Sequence, residues 1–142
     1  MNDDTRLLME QCSSGIQMGI ATIENVEDDV KDEGMFLLLK DSKEEHKRLF
    51  EEARQQLYHM GEEAKEPNLF AKGMAKMKSG VVTALDDDKK IADLVVDGCN
   101  MGVKSLHKYI NQYPEADEQA KQIARRLVNI EERLSVDLRN YL

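Results

Sequence analysis

Apolar and small residues return every three or four positions through most of this chain. That spacing commits it to α-helices that each bury one face. In residues 4–30 the stripe is Leu8, Cys12, Gly15, Gly19, Ile23, Val26 and Val30. Asp3 or Asp4 is placed to cap this helix by accepting from a free backbone N–H. Asp32-Glu33-Gly34 interrupts the pattern, and Gly34 reads as a turn position. Residues 35–60 then present Met35, Leu39, Ser42, His46, Leu49, Ala53 and Met60 on one side, with Gly61 as the C-terminal cap. So short a link makes the first two helices an antiparallel hairpin.

Residues 62–68 are polar and contain Pro67, which predicts a loop. From 69 to 112 the periodicity barely stops, yet one helix of that length would exceed ~60 Å, against ~40 Å for each of the first two. Asp86-Asp87-Asp88 supplies the break, because aspartate is poor within helices and good at their starts. The expectation is a short helix over 69–85 and a full-length one over 88–112. Tyr113-Pro114-Glu115 reads as a turn. A last helix over 116–140 lines up Ala120, Ala124, Leu127, Glu131, Leu134 and Leu138. Four matched amphipathic helices bury their stripes together as a single-domain bundle over residues 1–142. The short extra helix offers a way to carry the chain back along the bundle, which would leave the second and third long helices parallel. The alternative is a plain up-down-up-down bundle with a kinked third helix.

Charge removes several functions from consideration. Twenty Lys and Arg against 28 Asp and Glu give a net charge of −8. Without a sustained basic cluster, such a chain lacks the phosphate attraction that nucleic-acid binders need. No apolar run approaches the ~18 residues of a membrane span. Met1-Asn2-Asp3-Asp4-Thr5 has neither the basic nor the apolar region of a signal peptide, so a cytoplasmic protein is expected. Two cysteines, Cys12 and Cys99, cannot build a disulfide framework, which agrees.

A short internal repeat points to two related hairpins. Cys12-Ser13-Ser14-Gly15-Ile16 in the first helix matches Cys99-Asn100-Met101-Gly102-Val103 in the third long one. Three features then carry a family resemblance: residues 8–15 with their Cys-x-x-Gly; Glu66-Pro67 followed by Leu69-Phe70-Ala71-Lys72-Gly73 through Val81 to Leu85; and the aspartate-rich break before residues 91–102. In these the chain resembles an uncharacterised bacterial branch of the ferritin-like superfamily, a family of unknown function. The resemblance implies a ferritin-like four-helix bundle and no established reaction.

A di-metal carboxylate centre is the sharpest chemistry such a bundle can carry. It takes a Glu from each of two helices and a Glu-x-x-His from each of the other two. The i, i+3 spacing points both ligands to one side of a helix. Here Lys43 precedes His46 by three, Gln56 precedes His59, Lys104 precedes His107, and the fourth long helix has no histidine. Every Glu-x-x-His is missing. Iron or manganese would then have to use a carboxylate-rich set drawn from Glu24 or Glu27, Glu45 with His46, Asp93 or Asp97, and Glu131. Of these, His46 and Glu131 fall on the buried stripes. The plainer reading leaves Glu24, Glu27, Glu45 and Asp93 as solvated surface charges.

The remaining features read as packing. His46, among Leu39, Ser42, Leu49 and Ala53, suits a core histidine hydrogen-bonded to Ser42 or Glu131. Glu131, if buried, needs a cation, a proton or a metal; slightly rotated, it is wet and Ile130 points inward. Neither cysteine has a second thiol at ligand spacing, so both read as small core residues rather than redox groups. Gly15, Gly19, Gly98 and Gly102 each cost about 1 kcal/mol relative to Ala inside a helix. Close approach of two backbones is the expected return, with a local helix bulge as the alternative. Met74 and Met77, with Val81 and Leu85, give the short helix an apolar side for the bundle or a partner. Lys40, Lys43, Lys47 and Arg48 interleave with Asp41, Glu44, Glu45, Glu51 and Glu52 as a solvated face.

The sequence therefore leads to a ferritin-like bundle without an intact di-metal site and with no cofactor. It is expected to be a structural or interaction module that self-associates as a dimer or binds a protein partner. The rival is a divergent iron- or manganese-binding protein with oxidase or iron-handling activity.

Overall fold

The computed structural model describes residues 2–61 and 87–142, and these are all-helical: four long helices and two short 3₁₀ turns. We label them α1 (Asp3–Val26), α2 (Glu33–His59), α3 (Asp88–Gln112) and α4 (Glu118–Asp137). The short turns are Glu27–Asp29 and Arg139–Tyr141. The helix expected over 69–85, with Met74, Met77, Val81 and Leu85, lies outside the described residues.

Each long helix begins with a polar side chain accepting from the backbone three residues on. Asn2 accepts from Thr5, Asp32 from Met35 and Asp87 from Lys90, each at 2.8 Å, and Asp117 accepts from Ala120 at 2.9 Å. Such a cap satisfies one orphan N–H and contributes about 1 kcal/mol. Two expectations need correction. The cap of α1 is Asn2, which frees Asp3 and Asp4 to sit in the first turn. Gly34 is no turn residue but the second residue of α2, because Asp32 caps the helix ahead of it. The left-handed backbone falls to Gly61, with φ +79°, just past the end of α2. Helix α1 also stops four residues short of Val30, which follows the first 3₁₀ turn.

Hydrogen bonds between the helix ends fix the directions. At one end, Asp88 at the start of α3 accepts from the Lys31 and Asp32 backbone N–H groups, both at 2.9 Å, in the turn between α1 and α2. At the other, Thr5 Oγ1 accepts from Asp117 N at 2.8 Å and Asp4 Oδ2 accepts from Glu115 N at 2.9 Å. Asn2 Nδ2 donates to the Glu115 carbonyl there at 2.7 Å. So α1 and α4 start at the same end, while α2 and α3 both start at the opposite one. Helices α2 and α3 are parallel, and the end of one is a full bundle length from the start of the other. Helix α1 packs on the other three, and α2 packs on α1 and α4.

The core consists of two clusters. One holds Leu8, Met9, Cys12, Ile16, Leu49, Ala53, Leu57, Leu106, Ala120, Ala124 and Leu127. The other holds Ile23, Val26, Met35, Leu39, Ile91, Ala92, Val95, Cys99, Leu134 and Leu138. Along α2, α3 and α4 the change from one cluster to the other falls at a residue without an apolar side chain: His46, Gly102 and Glu131. In α1 it comes just past Gly19, between Ile20 and Ile23.

Candidate functional site

The four boundary residues form one layer across the middle of the bundle, and this layer is the best-built polar site among the described residues. His46 is 1% exposed and Glu131 7%. They reach the layer because each sits on the stripe that faces inward: His46 between Leu39 and Leu49, Glu131 between Leu127 and Leu134. An imidazole and a carboxylate need more room than the methyls a packed core offers. The glycines supply that room. A Cβ on Gly19 would lie 2.6 Å from His46 Nε2 and 2.7 Å from its Cδ2, and one on Gly102 would overlap the Glu131 carboxylate. Expected close approach of backbones is therefore corrected: these two glycines make space for polar side chains on the neighbouring helix.

Geometry assigns one proton outright. His46 Nδ1 lies 2.7 Å from the Ser42 carbonyl oxygen, one turn back on its own helix, with Ser42 Oγ 3.5 Å away. A carbonyl can only accept, so Nδ1 carries a hydrogen and donates it. That leaves Nε2 facing Glu131 Oε1 at 4.0 Å, within ion-pair range but too long for a hydrogen bond. His46 Nε2 and Glu131 Oε2 have no hydrogen-bond partner among the described residues. Burial pushes the Glu131 carboxyl above the usual carboxylate range, and the His46 ring pulls it part of the way back. One turn along α4, Ser135 Oγ donates to Asn100 Oδ1 of α3 at 3.5 Å.

The other sequence candidates do not gather here. Glu24, Asp93 and Asp97 are exposed. Glu27 is half-buried and taken by Lys43, whose Nζ lies 2.8 Å from Oε1 and 3.0 Å from Oε2. That bond raises the Lys43 ammonium above its ordinary value. Glu45 accepts from Arg133 across the α2–α4 surface, as Glu52 does from Arg126. Among the described residues no three His, Cys, Asp or Glu side chains converge as a metal-ligand group. The i−3 position of His46 is Lys43, and the i+3 position of Glu131 is Leu134 in the core. His59 and His107 are exposed.

The cysteines sit apart, Cys12 in one core cluster and Cys99 in the other. Both are free and buried, and desolvation pushes each thiol up to about 12. A thiol held that firmly is a poor nucleophile and a poor ligand. The Cys-x-x-Gly repeat pairs Gly15 with Gly102, but Gly15 makes only ordinary contact with Leu127 Cδ2, at 3.4 Å. The glycine that does for His46 what Gly102 does for Glu131 is Gly19, one turn further on.

No family model, curated protein or solved structure matches the chain. The layer offers one imidazole nitrogen and one carboxylate. Such a pair can hold a proton between two helices. As ligands, the two would leave most of a metal's coordination sphere to other donors. Among the described residues no helix is long and apolar enough to cross a membrane.

Proposed function

We propose that this chain is a ferritin-like bundle that acts as a non-catalytic structural or interaction module, its centre given over to packing instead of ion binding. One observation carries the reading: α1 and α3 bring Gly19 and Gly102 to the layer, where a di-metal bundle would place a carboxylate from each. The space those ligands would use is filled by the ring of His46 and the carboxylate of Glu131. The other carboxylates considered as ligands are exposed, as Glu24, Asp93 and Asp97 are, or held in ion pairs, as Glu27 and Glu45 are.

Its working surface in this reading is outward, and the partner is a second copy. Met101, 70% exposed on α3, lies one turn from Gly98. A Cβ on Gly98 would meet nothing within 4 Å among the described residues. A glycine there costs about 1 kcal/mol against Ala with no return inside the described fold. Close approach of a second helix supplies one. The test is metal analysis of protein purified without chelator, before and after incubation with iron(II) or manganese(II), together with light scattering. Substoichiometric metal and a dimer that Met101→Glu dissociates are expected. Stoichiometric metal overturns the reading of the centre, and a monomer at all accessible concentrations overturns that of the surface.

A further inference from the structure

We propose that His46 and Glu131 form a one-proton latch that fastens the α1–α2 hairpin to the α3–α4 hairpin. The latch goes beyond a packing role but rests on the reading above that the pair holds no metal. His46 belongs to one hairpin and Glu131 to the other, and they face each other at 4.0 Å, with His46 Nε2 and Glu131 Oε2 unpartnered among the described residues. Because the Ser42 carbonyl holds the hydrogen on Nδ1, exchange is confined to Nε2 and the carboxylate. With one proton in the gap, a small turn of the carboxylate completes a hydrogen bond and the pair is neutral overall. Without it, two acceptors face each other and the buried layer carries a net negative charge. With two, two donors face each other and the charge is positive. Either state is costly away from water, so docking of the hairpins favours the singly protonated pair.

The surroundings do little to soften that preference. Helix α1 faces the ring with Gly19, and α3 faces the carboxylate with Gly102, neither of which titrates. From α3, Cys99 is the titratable group that feels the charge on Glu131, and its thiol stays protonated to about pH 12. Ser42 on α2 contributes a hydroxyl and a carbonyl. The charge of the layer is therefore set by the pair itself.

The test is urea unfolding from about pH 2 to about pH 10 of the chelator-treated protein, the Glu131→Gln variant and the His46→Gln/Glu131→Gln double variant. Relative to the double variant, the folding constant of the natural chain is expected to peak at intermediate pH. It should fall by up to about tenfold per pH unit on each side, one proton being linked on each limb. Glu131→Gln, whose amide can donate to a bare Nε2, should lose the alkaline limb. A flat difference curve overturns the latch. Should the variants fail to fold, nitrogen NMR of the natural imidazole decides: protonation changing at Nε2 alone supports it, and loss of the Nδ1 hydrogen overturns it. Stoichiometric metal in untreated protein defeats the reading of the site, whereas a flat curve in metal-free protein defeats the latch alone.

Discussion

Gly102 of α3 lies directly against the carboxylate of Glu131 on α4, so closely that a methyl group on the first would overlap the second. The same relation joins Gly19 and His46, and both are intra-hairpin contacts. Each hairpin thus carries its own polar residue and its own recess for it before the two come together.

Glycine substitutions should separate positions that look alike in the sequence. Gly102→Ala and Gly19→Ala should each destabilise the fold by about 1–3 kcal/mol, as expected when a packed layer is overfilled. Gly98→Ala should raise the stability of the monomer by up to about 1 kcal/mol, since its Cβ would enter open space among the described residues. Chemical denaturation of the three variants checks both signs. Equal effects at all three would contradict the roles assigned to Gly19 and Gly102.

Removing half of the buried pair should cost more than removing all of it. His46→Leu leaves the Glu131 carboxyl buried with no partner and should cost about 3–5 kcal/mol at neutral pH. His46→Leu combined with Glu131→Met replaces the pair by apolar side chains of similar size, and should come out neutral or up to a few kcal/mol more stable. Thermal or urea unfolding of both variants provides the comparison. A double variant less stable than the natural chain would show that the pair is a net stabiliser.

The cysteine thiols predict the alkaline behaviour. A folded-state value above the unfolded one means that the fold favours the protonated thiol. That contribution is complete below the ordinary value near 9 and is lost as pH rises toward about 12. For Cys12, wholly buried, the full loss amounts to about 4 kcal/mol. Cys12→Ala should therefore make alkaline unfolding less steep while costing some packing at neutral pH. Native protein should react with a thiol reagent only as fast as it opens, and a rapid stoichiometric reaction near pH 8 would contradict this burial.

At the end of the bundle, Asp88→Ala should loosen the joint between the hairpins. The Asp88 carboxylate accepts from two successive backbone groups, Lys31 N and Asp32 N. Its loss should cost about 1–3 kcal/mol. Hydrogen exchange at those two amides should rise more than at Thr5, whose N–H is capped at the opposite end.

The helices were legible because helix periodicity is strong over long segments. The expected range 88–112 coincides with α3, and the stripes of α2 and α4 are buried from Met35 to Ala53 and from Ala120 to Leu138. The parallel course of α2 and α3 is one of the two connectivities the sequence allows, and periodicity alone does not choose between them. Capping residues were harder to place, since Asn2, Asp3 and Asp4 all have suitable side chains and only backbone geometry selects among them. His46 and Glu131 were visible as polar residues on apolar stripes. The purpose of Gly19 and Gly102 was not, because periodicity says which face a residue occupies and nothing of which neighbour faces it. A mid-helix glycine at the level of a large inward polar side chain on the next helix is the signal that would have found them.

A core divided at its midpoint also has a mechanical consequence. Hydrocarbon grips the helices above and below, and the hydrogen bonds of Asp88, Thr5 and Asn2 clasp the two ends. The waist, where the room of two methyl groups is taken by an imidazole and a carboxylate, is where a change of charge would bear directly on the seam between the halves.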